Sequence, residues 1–353
     1  MSLDQRNALH DRGAAPSGAA AGLSIVVPAY NESASLDRVH ARLTEVAQKL
    51  ADTHALACEV IYVDDGSADD TLSIARALPA SALDVQVVSL SRNFGKEAAL
   101  LAGLDHARLG AVLFIDGDGQ HPPELIETLV GHWLDDDYDV IYTAKAHRDQ
   151  ESFVRRVAVK AFYALLNSDS HVQIPENAGD FRLLSPRAAK ALRQMPERNR
   201  FFKGLASWIG FRQKRIDYEP AQRAQGRSSW RLRSLIGLSL NGLTAFSVAP
   251  LRMATVFGLL LALIALIYGG KIIYETVVYG ASVPGYPSLF VGVMVLGAVQ
   301  LVMLGVVGEY IGKILYEIKA RPVYFVAEHD VKLREEVSKP KSGTQSDTRT
   351  AAE

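Results

Sequence analysis

A single cysteine, Cys58, has nothing to pair with inside a chain of 353 residues. No internal disulfide can hold this fold, and a reducing cytoplasm is its natural setting. The first 22 residues lack an apolar core of signal-peptide length. They are rich in Ala, Gly and Ser, read as a disordered lead, and give no expectation of secretion. No Gly-x-Gly-x-x-Gly follows the first candidate strand, and no Walker Gly-Lys-Ser/Thr occurs, which excludes dinucleotide oxidoreductases and P-loop nucleotidases. No Ser/His/Asp set and no Cys/His metal spacing stands out either. The chain also has almost no net charge, −1. That balance hides an asymmetry: from Arg182 to Arg233 there are 14 Lys/Arg against 3 Asp/Glu. Such a block suits a negatively charged partner, whether nucleic acid, phosphorylated substrate or anionic lipid surface.

From Leu23 onward, short β-branched runs alternate with amphipathic stretches. Strands are expected at Ser24–Pro28, Glu59–Val63, Val85–Leu90, Val112–Ile115 and Asp139–Tyr142, and helices at Ser33–Leu50, Asp70–Leu78, Lys96–Ala107 and Pro122–Leu134. The alternation predicts an α/β domain with a mostly parallel sheet, and the unbroken apolar runs predict strands covered on both faces. The last third differs. Met253–Gly270 and Ser288–Gly308 carry no formal charge over 18 and 21 residues. As helices they would extend about 27 and 32 Å, close to the roughly 30 Å of a bilayer's hydrocarbon core. A pair of buried core helices is the bland alternative. Arg252 before the first span, Lys313, Lys319 and Arg321 after the second, and a Lys/Arg-free loop Ile272–Pro287 put both ends in the cytoplasm by the positive-inside rule. Asn199–Gly210 and Trp230–Ala249 mix aromatics, leucines and basic residues, and read as helices lying in the membrane interface. Ordinary surface helices packed on the catalytic domain would look similar.

The strongest constellation is Phe114-Ile-Asp116-Gly-Asp118-Gly-Gln120-His121, directly after an expected strand. Carboxylates at i and i+2 share a face of a strand, and the two glycines let the chain bend so that both acids meet beyond its end. Two carboxylates and an amide oxygen suit a hard divalent ion, Mg²⁺ or Mn²⁺, that keeps positions open for phosphates. Ligands of open α/β sheets bind at this edge. Val63-Asp64-Asp65-Gly66-Ser67 closes a second strand and Pro28-Ala29-Tyr30-Asn31-Glu32 a third. The three ends together bring acidic, aromatic and small residues to one rim, where a carboxylate can accept a uracil imide N–H and Tyr30 can stack on the base.

With these motifs, Ser91-Arg-Asn-Phe-Gly-Lys96, Ala178-Gly-Asp-Phe-Arg-Leu183 and Ala245-Phe-Ser-Val-Ala-Pro-Leu-Arg252, the stretch Leu23–Arg321 resembles the family-2 glycosyltransferases that act on polyprenyl phosphates. These include dolichyl-phosphate mannose synthases and, closer, bactoprenol glucosyltransferases of the GtrB type. The resemblance implies a GT-A fold, a Rossmann-like mixed sheet with flanking helices. It divides the chain into a tail (1–22), a catalytic domain (23–198), interfacial helices (199–250), a transmembrane hairpin (251–313, spans at about 252–273 and 288–312) and a cytoplasmic tail (314–353). It implies a multi-pass protein of the bacterial inner membrane, with no nucleic-acid partner and, by family resemblance, a homo-oligomer, a tetramer.

Carried over by motif, Pro28, Tyr30, Asn31, Glu32, Asp64, Asp65, Lys96, Asp116, Lys145, Arg148 and Arg223 bind the nucleotide-sugar. Asp116, Asp118 and Gln120 hold Mg²⁺ or Mn²⁺, and Asp116, Asp118 and Asp180 are the catalytic acids. Arg155, Arg156, Arg182, Arg200 and Lys203 receive the acceptor phosphate. Two positions depart from the family pattern. Lys145 stands where an Arg is usual, and a point charge makes no bidentate fork. Ser229 stands where many relatives have Lys, leaving Arg223 and Arg227 to supply that charge. The implied reaction is inverting transfer of a hexose, glucose from UDP-glucose being the expected donor, to a polyprenyl phosphate at the cytoplasmic face. A processive polysaccharide synthase and a catalytically idle membrane scaffold are the alternatives.

Overall fold

A computed structural model describes residues 20–145, 178–198, 200–219, 249–280 and 285–334. Among the described residues eight strands form one sheet: β1 (Ala20–Ala29), β2 (Ala57–Asp64), β3 (Asp84–Leu90), β4 (Leu109–Phe114), β5 (Val140–Lys145), β6 (Ala178–Leu184), β7 (Gln213–Tyr218) and β8 (Val326–Lys332). Their spatial order is β7-β5-β6-β4-β1-β2-β3-β8. The central β3-β2-β1-β4 run is parallel, while β6 is antiparallel to both β4 and β5, and β8 is antiparallel to β3. All five expected strands are present. Three others, β6, β7 and β8, were not expected.

Helix α1 (Leu36–His54) packs on the sheet through Leu36, Val39, Leu43, Val46, Ala47 and Leu50, the 3.6-residue stripe of an amphipathic helix. Two short helices, α2 (Thr71–Ala77) and α4 (Leu125–Leu134), share that side of the sheet in one apolar core with Ile25, Val27, Val60, Tyr62 and Leu113. On the other face α3 (Lys96–His106) is buried on seven successive residues, Ala98 to Leu104. It lies so close to β1 that a Cβ on Gly103 would fall 2.1 Å from a methyl of Val26. Helices α5 (Pro186–Arg193) and α6 (Phe202–Trp208) complete this second core. Ser185 caps α5 by accepting the Ala188 N–H, with Pro186 at the first helical position.

The interfacial reading of Asn199–Gly210 is corrected by α6. Phe202, Leu205 and Ala206 are 1–3% exposed, and the Phe202 ring meets Phe114 edge-on with centroids 5.0 Å apart. Burial of this face against β4 leaves only Trp208, 59% exposed, as a large apolar side chain turned outward. The second stretch expected in the interface, Trp230–Ala249, lies outside the described residues but for its last.

Two long helices follow, α7 (Ala249–Tyr279) and α8 (Tyr286–Ile318). Within them Ala254–Val278 and Gly292–Ile318 have mean hydropathies of 2.3 and 1.9, and nothing in either window is buried. Leu259, Leu266, Val277, Leu301 and Ile318 are each more than 70% exposed. Buried core helices are thereby excluded, and a contiguous apolar surface of this size marks a membrane-associated hairpin. The stretch after α8 is more than a tail. Residues 326–332 form β8, which adds to the sheet beyond β3. The catalytic unit therefore extends past 198 at two places, through β7 and through β8.

Candidate active site

The carboxyl ends of β1, β2 and β4 supply the rim that the motifs predict. After β1, Asn31 turns the chain with φ 55°. Its backbone N–H donates to the Ser67 hydroxyl at 3.0 Å and its side-chain oxygen accepts from the Ala68 N–H at 2.9 Å. Asn31 thus ties the β1 turn to the β2 turn. Tyr30, half exposed, presents its ring at the rim. The Ser35 hydroxyl donates to the Gly117 carbonyl at 2.7 Å, with the Glu32 carboxylate 3.1 Å from the same hydroxyl oxygen, and so fastens the β1 turn to the β4 turn. Gly66, at φ 69°, passes so near the Arg92–Asn93 backbone that a Cβ there would sit 2.7 Å from it.

The two acids of the β2 turn differ in role. Asp65 is buried, and its carboxylate accepts the backbone N–H groups of Phe94 (2.7 Å) and Gly95 (2.9 Å). Burial pushes its pKa upward against those two bonds. It holds the loop that delivers Lys96, and both its oxygens are spent on that loop. Asp64, also buried, accepts from the Ser67 N–H at 3.3 Å.

The β4 turn carries the charge centre. The Lys96 ammonium, at the start of α3, lies 2.6 Å from Asp116 Oδ1 and 2.6 Å from Asp180 Oδ2, bridging β4 to β6. Lys203 on α6 approaches Asp180 Oδ1 at 3.4 Å. Burial opposes charge on Asp180, yet Lys96 and Lys203 hold its carboxyl well below the ordinary range. Burial likewise disfavours charge on Lys96, and the Asp180 and Asp116 carboxylates hold its ammonium above the usual lysine value. Sequence motifs assign Lys96 to the nucleotide-sugar; in the structure it is the cation between the two acids. Its neighbour Glu97, which no motif singles out, accepts the Phe202 N–H at 2.8 Å and so anchors α6 to α3.

His121 is buried, stacks on Phe181 with centroids 5.2 Å apart, and meets the Tyr218 ring at 5.8 Å. Its Nδ1 accepts the Asp116 N–H at 3.3 Å, so the neutral ring carries its proton on Nε2. Burial keeps the imidazole below its ordinary pKa despite the nearby Asp116. The Asp118 carboxylate accepts the Gln120 backbone N–H at 3.0 Å.

Of the expected acceptor cations, Lys203 joins the acid cluster, and Arg182, 3% exposed on β6, donates to the Gly179 carbonyl at 2.8 Å. Arg200 is a correction. Its guanidinium donates inward to the carbonyls of Met195 (2.6 Å) and Glu197 (2.9 Å), so it ties the chain between α5 and α6. Lys145 ends β5. Arg148, Arg155, Arg156 and Arg223 lie outside the described residues.

A divalent ion fits this donor set in one form. Asp116 and Asp118 are hard oxygen donors and the Gln120 side-chain oxygen is a third, while the buried Gln120 Nε2, without a partner among the described residues, is a donor suited to a phosphate oxygen rather than to the metal. Among the described residues no three His, Cys, Asp or Glu side chains converge as a metal cage. An ion would therefore take one or two protein carboxylates and complete its shell from phosphate oxygens, the usual habit of Mg²⁺.

Residues 24–193 match the glycosyl transferase family 2, and residues 249–314 match the GtrB C-terminal hairpin. An uncharacterized glycosyltransferase of Synechocystis sp. is 43% identical over 306 residues, 87% of this chain and 95% of that one. The chain belongs to glycosyl transferase family 2. A prophage bactoprenol glucosyl transferase homolog of Escherichia coli is 39% identical over 304 residues, covering 86% of this chain and 98% of its own. A bactoprenol glucosyl transferase of Shigella phage SfII is 40% identical over 304 residues, covering 86% and 97%. The chain is thus a glycosyltransferase, built on a mixed α/β GT-A sheet and joined to a membrane-associated hairpin.

Proposed function

We propose that this glycosyltransferase moves glucose from UDP-glucose to a polyprenyl phosphate at the cytoplasmic face of a bacterial inner membrane, with inversion at C1. The observation that carries the reading is the pairing of the Asp116–Lys96–Asp180 cluster at the strand ends with an exposed apolar hairpin in the same chain. The names of the bactoprenol glucosyl transferases support the acceptor and the sugar.

Tyr30 offers a stacking face for the base, and Asp64 lies at the same rim. A divalent ion held by Asp116 and Asp118 would supply charge to neutralise the diphosphate as it departs. Asp180 acts as a fixed negative charge that orients the sugar. A carboxyl held far below neutral pH by two lysines is too weak a base to take a proton there. None is needed, because a phosphate monoester with second pKa about 6 is already largely dianionic at pH 7. Lys203, between α6 and Asp180, is the described cation best placed to meet the incoming lipid phosphate. The return of the chain from α8 into β8 of the catalytic sheet supports two crossings with both ends on one side. The Lys/Arg bias supports the cytoplasm as that side.

Asp118→Asn tests the donor half of this reading. The variant should bind UDP-glucose at least tenfold more weakly in the presence of Mn²⁺, and chelation should erase the difference between it and the parent. Equal affinity of the two proteins in saturating Mn²⁺ would contradict the role given to Asp118.

A further inference from the structure

One group beside the acid cluster is used neither by the sequence motifs nor by the ionic network. Tyr218, the last residue of β7, is 5% exposed. Its hydroxyl oxygen is buried and has no hydrogen-bond partner among the described residues. Native proteins leave few such groups, because a buried hydroxyl without a partner has lost water and gained nothing. Its ring meets the edge of His121, the residue whose Nδ1 accepts from the Asp116 backbone. Burial, then the charges of Asp116, Asp118 and Asp180, push the phenol up to about 12. At neutral pH it keeps its proton. Two of those carboxylates already have cations: Asp116 is paired with Lys96, and Asp180 with Lys96 and Lys203. β7 runs parallel to β5, with Tyr218 opposite Lys145 at the rim end of both strands. A protonated hydroxyl with no partner among the described residues, set at the rim beside the acid cluster, suits an acceptor oxygen brought by a ligand.

We propose that the Tyr218 hydroxyl donates a hydrogen bond to a diphosphate oxygen of the nucleotide-sugar. The assignment rests on the proposed binding of that donor at this rim. An anionic oxygen is the acceptor that best compensates a desolvated phenol, since charge-assisted bonds are roughly twice as strong as neutral ones. In the transfer, the acceptor phosphate oxygen forms its bond to C1 as the bond from C1 to the diphosphate oxygen breaks, and that electron pair stays on the diphosphate. Negative charge therefore grows on the group Tyr218 holds, and the bond strengthens as the reaction proceeds.

Tyr218→Phe deletes one oxygen and nothing else. In the full-length protein in detergent, calorimetry should show the Kd for UDP raised about tenfold, and kcat/KM for UDP-glucose should fall by about 10- to 100-fold. The unliganded thermal midpoint should stay the same or rise, since the change removes an unsatisfied group. UDP affinity and kcat/KM equal to those of the parent would overturn the assignment. So would a loss confined to UDP-glucose with UDP binding intact, which would move the contact to the sugar. A lowered midpoint, with binding lost only in proportion to the unfolded fraction, would make Tyr218 a packing residue. Absence of UDP binding by the parent protein would defeat the donor reading itself, and that result is separable from the other three.

Discussion

Glu97 shows how closely chemistry and folding are joined at single residues. Its carboxylate holds the first amide of α6, while burial first and Asp180 second push its pKa up to about 7. In the unfolded chain the same group titrates at about 4.3. The folded protein therefore keeps a proton that the unfolded chain has lost between those values. Stability from this group is greatest at low pH, falls as pH rises from about 4.3 to about 7, and is level above, over a range of up to about 4 kcal/mol. Glu97→Gln should remove the dependence. The thermal midpoint of the parent, measured against that of the variant, should drop between pH 5 and pH 8. A constant difference across that interval would show that Glu97 is charged throughout.

The residue scale also shows what the sequence could and could not disclose. Asp116, Asp118 and the two other strand-end motifs were legible because buried strands announce themselves by unbroken apolar runs, and the residues just past their carboxyl ends must sit on the rim. The division of labour between Asp64 and Asp65 was not legible, since two adjacent acids differ only in which backbone amides the fold brings to each. The orphaned hydroxyl of Tyr218 was equally hidden. Its strand, Gln-Lys-Arg-Ile-Asp-Tyr, has only Ile216 and Tyr218 as apolar positions, too few to announce a strand among its charges.

Among the elements, β7 and β8 share that reason for being missed. Both are edge strands, and edges are protected from unwanted pairing by charge, which erases the pattern by which strands are read. In β8 the residues are Val-Ala-Glu-His-Asp-Val-Lys. They are held by Arg76 to Glu328 and Asp330, by Lys332 to the carbonyls of Arg76 and Leu78, and by His329 Nε2 to Gln86 Oε1 at 2.8 Å. The ion pairs are solvent-exposed, so Arg76→Ala should cost less than about 1 kcal/mol. Ending the chain at Pro322 is a different matter, because it bares the whole edge of β3. That truncation should lower the thermal midpoint by more than Arg76→Ala does and produce aggregates on size exclusion. A truncated protein as stable and monodisperse as the parent would mean that β8 is dispensable. Helix α6 was misread for another reason: aromatics and leucines mixed with basic residues suit a membrane interface and a protein core alike, and only the partner decides. Here the partner is Phe114 on β4.

At the scale of the whole molecule, the chain leaves the catalytic sheet for the hairpin and comes back to it. The Arg198 backbone N–H donates to Glu317 near the end of α8, and its guanidinium donates to the Ala320 and Arg321 carbonyls, before β8 closes the sheet. The end of the second long helix is thus fixed to the domain that carries the active site, which suits an acceptor whose phosphate lies at headgroup depth. A cysteine replacing Ser282 should react with an impermeant thiol reagent in outer-membrane-permeabilised cells, and one replacing Ser342 only after lysis. The reverse labelling would contradict two crossings with cytoplasmic ends.

The most direct measurement is transfer itself. The purified protein in vesicles containing undecaprenyl phosphate, given UDP-glucose labelled in the sugar and a divalent cation, should move label into the organic extract. Release of UDP should match that label mole for mole, and vesicles lacking the lipid phosphate should incorporate none. Glucose released to water at the same rate with and without the lipid phosphate, and no label in the lipid, would contradict transfer to a polyprenyl phosphate.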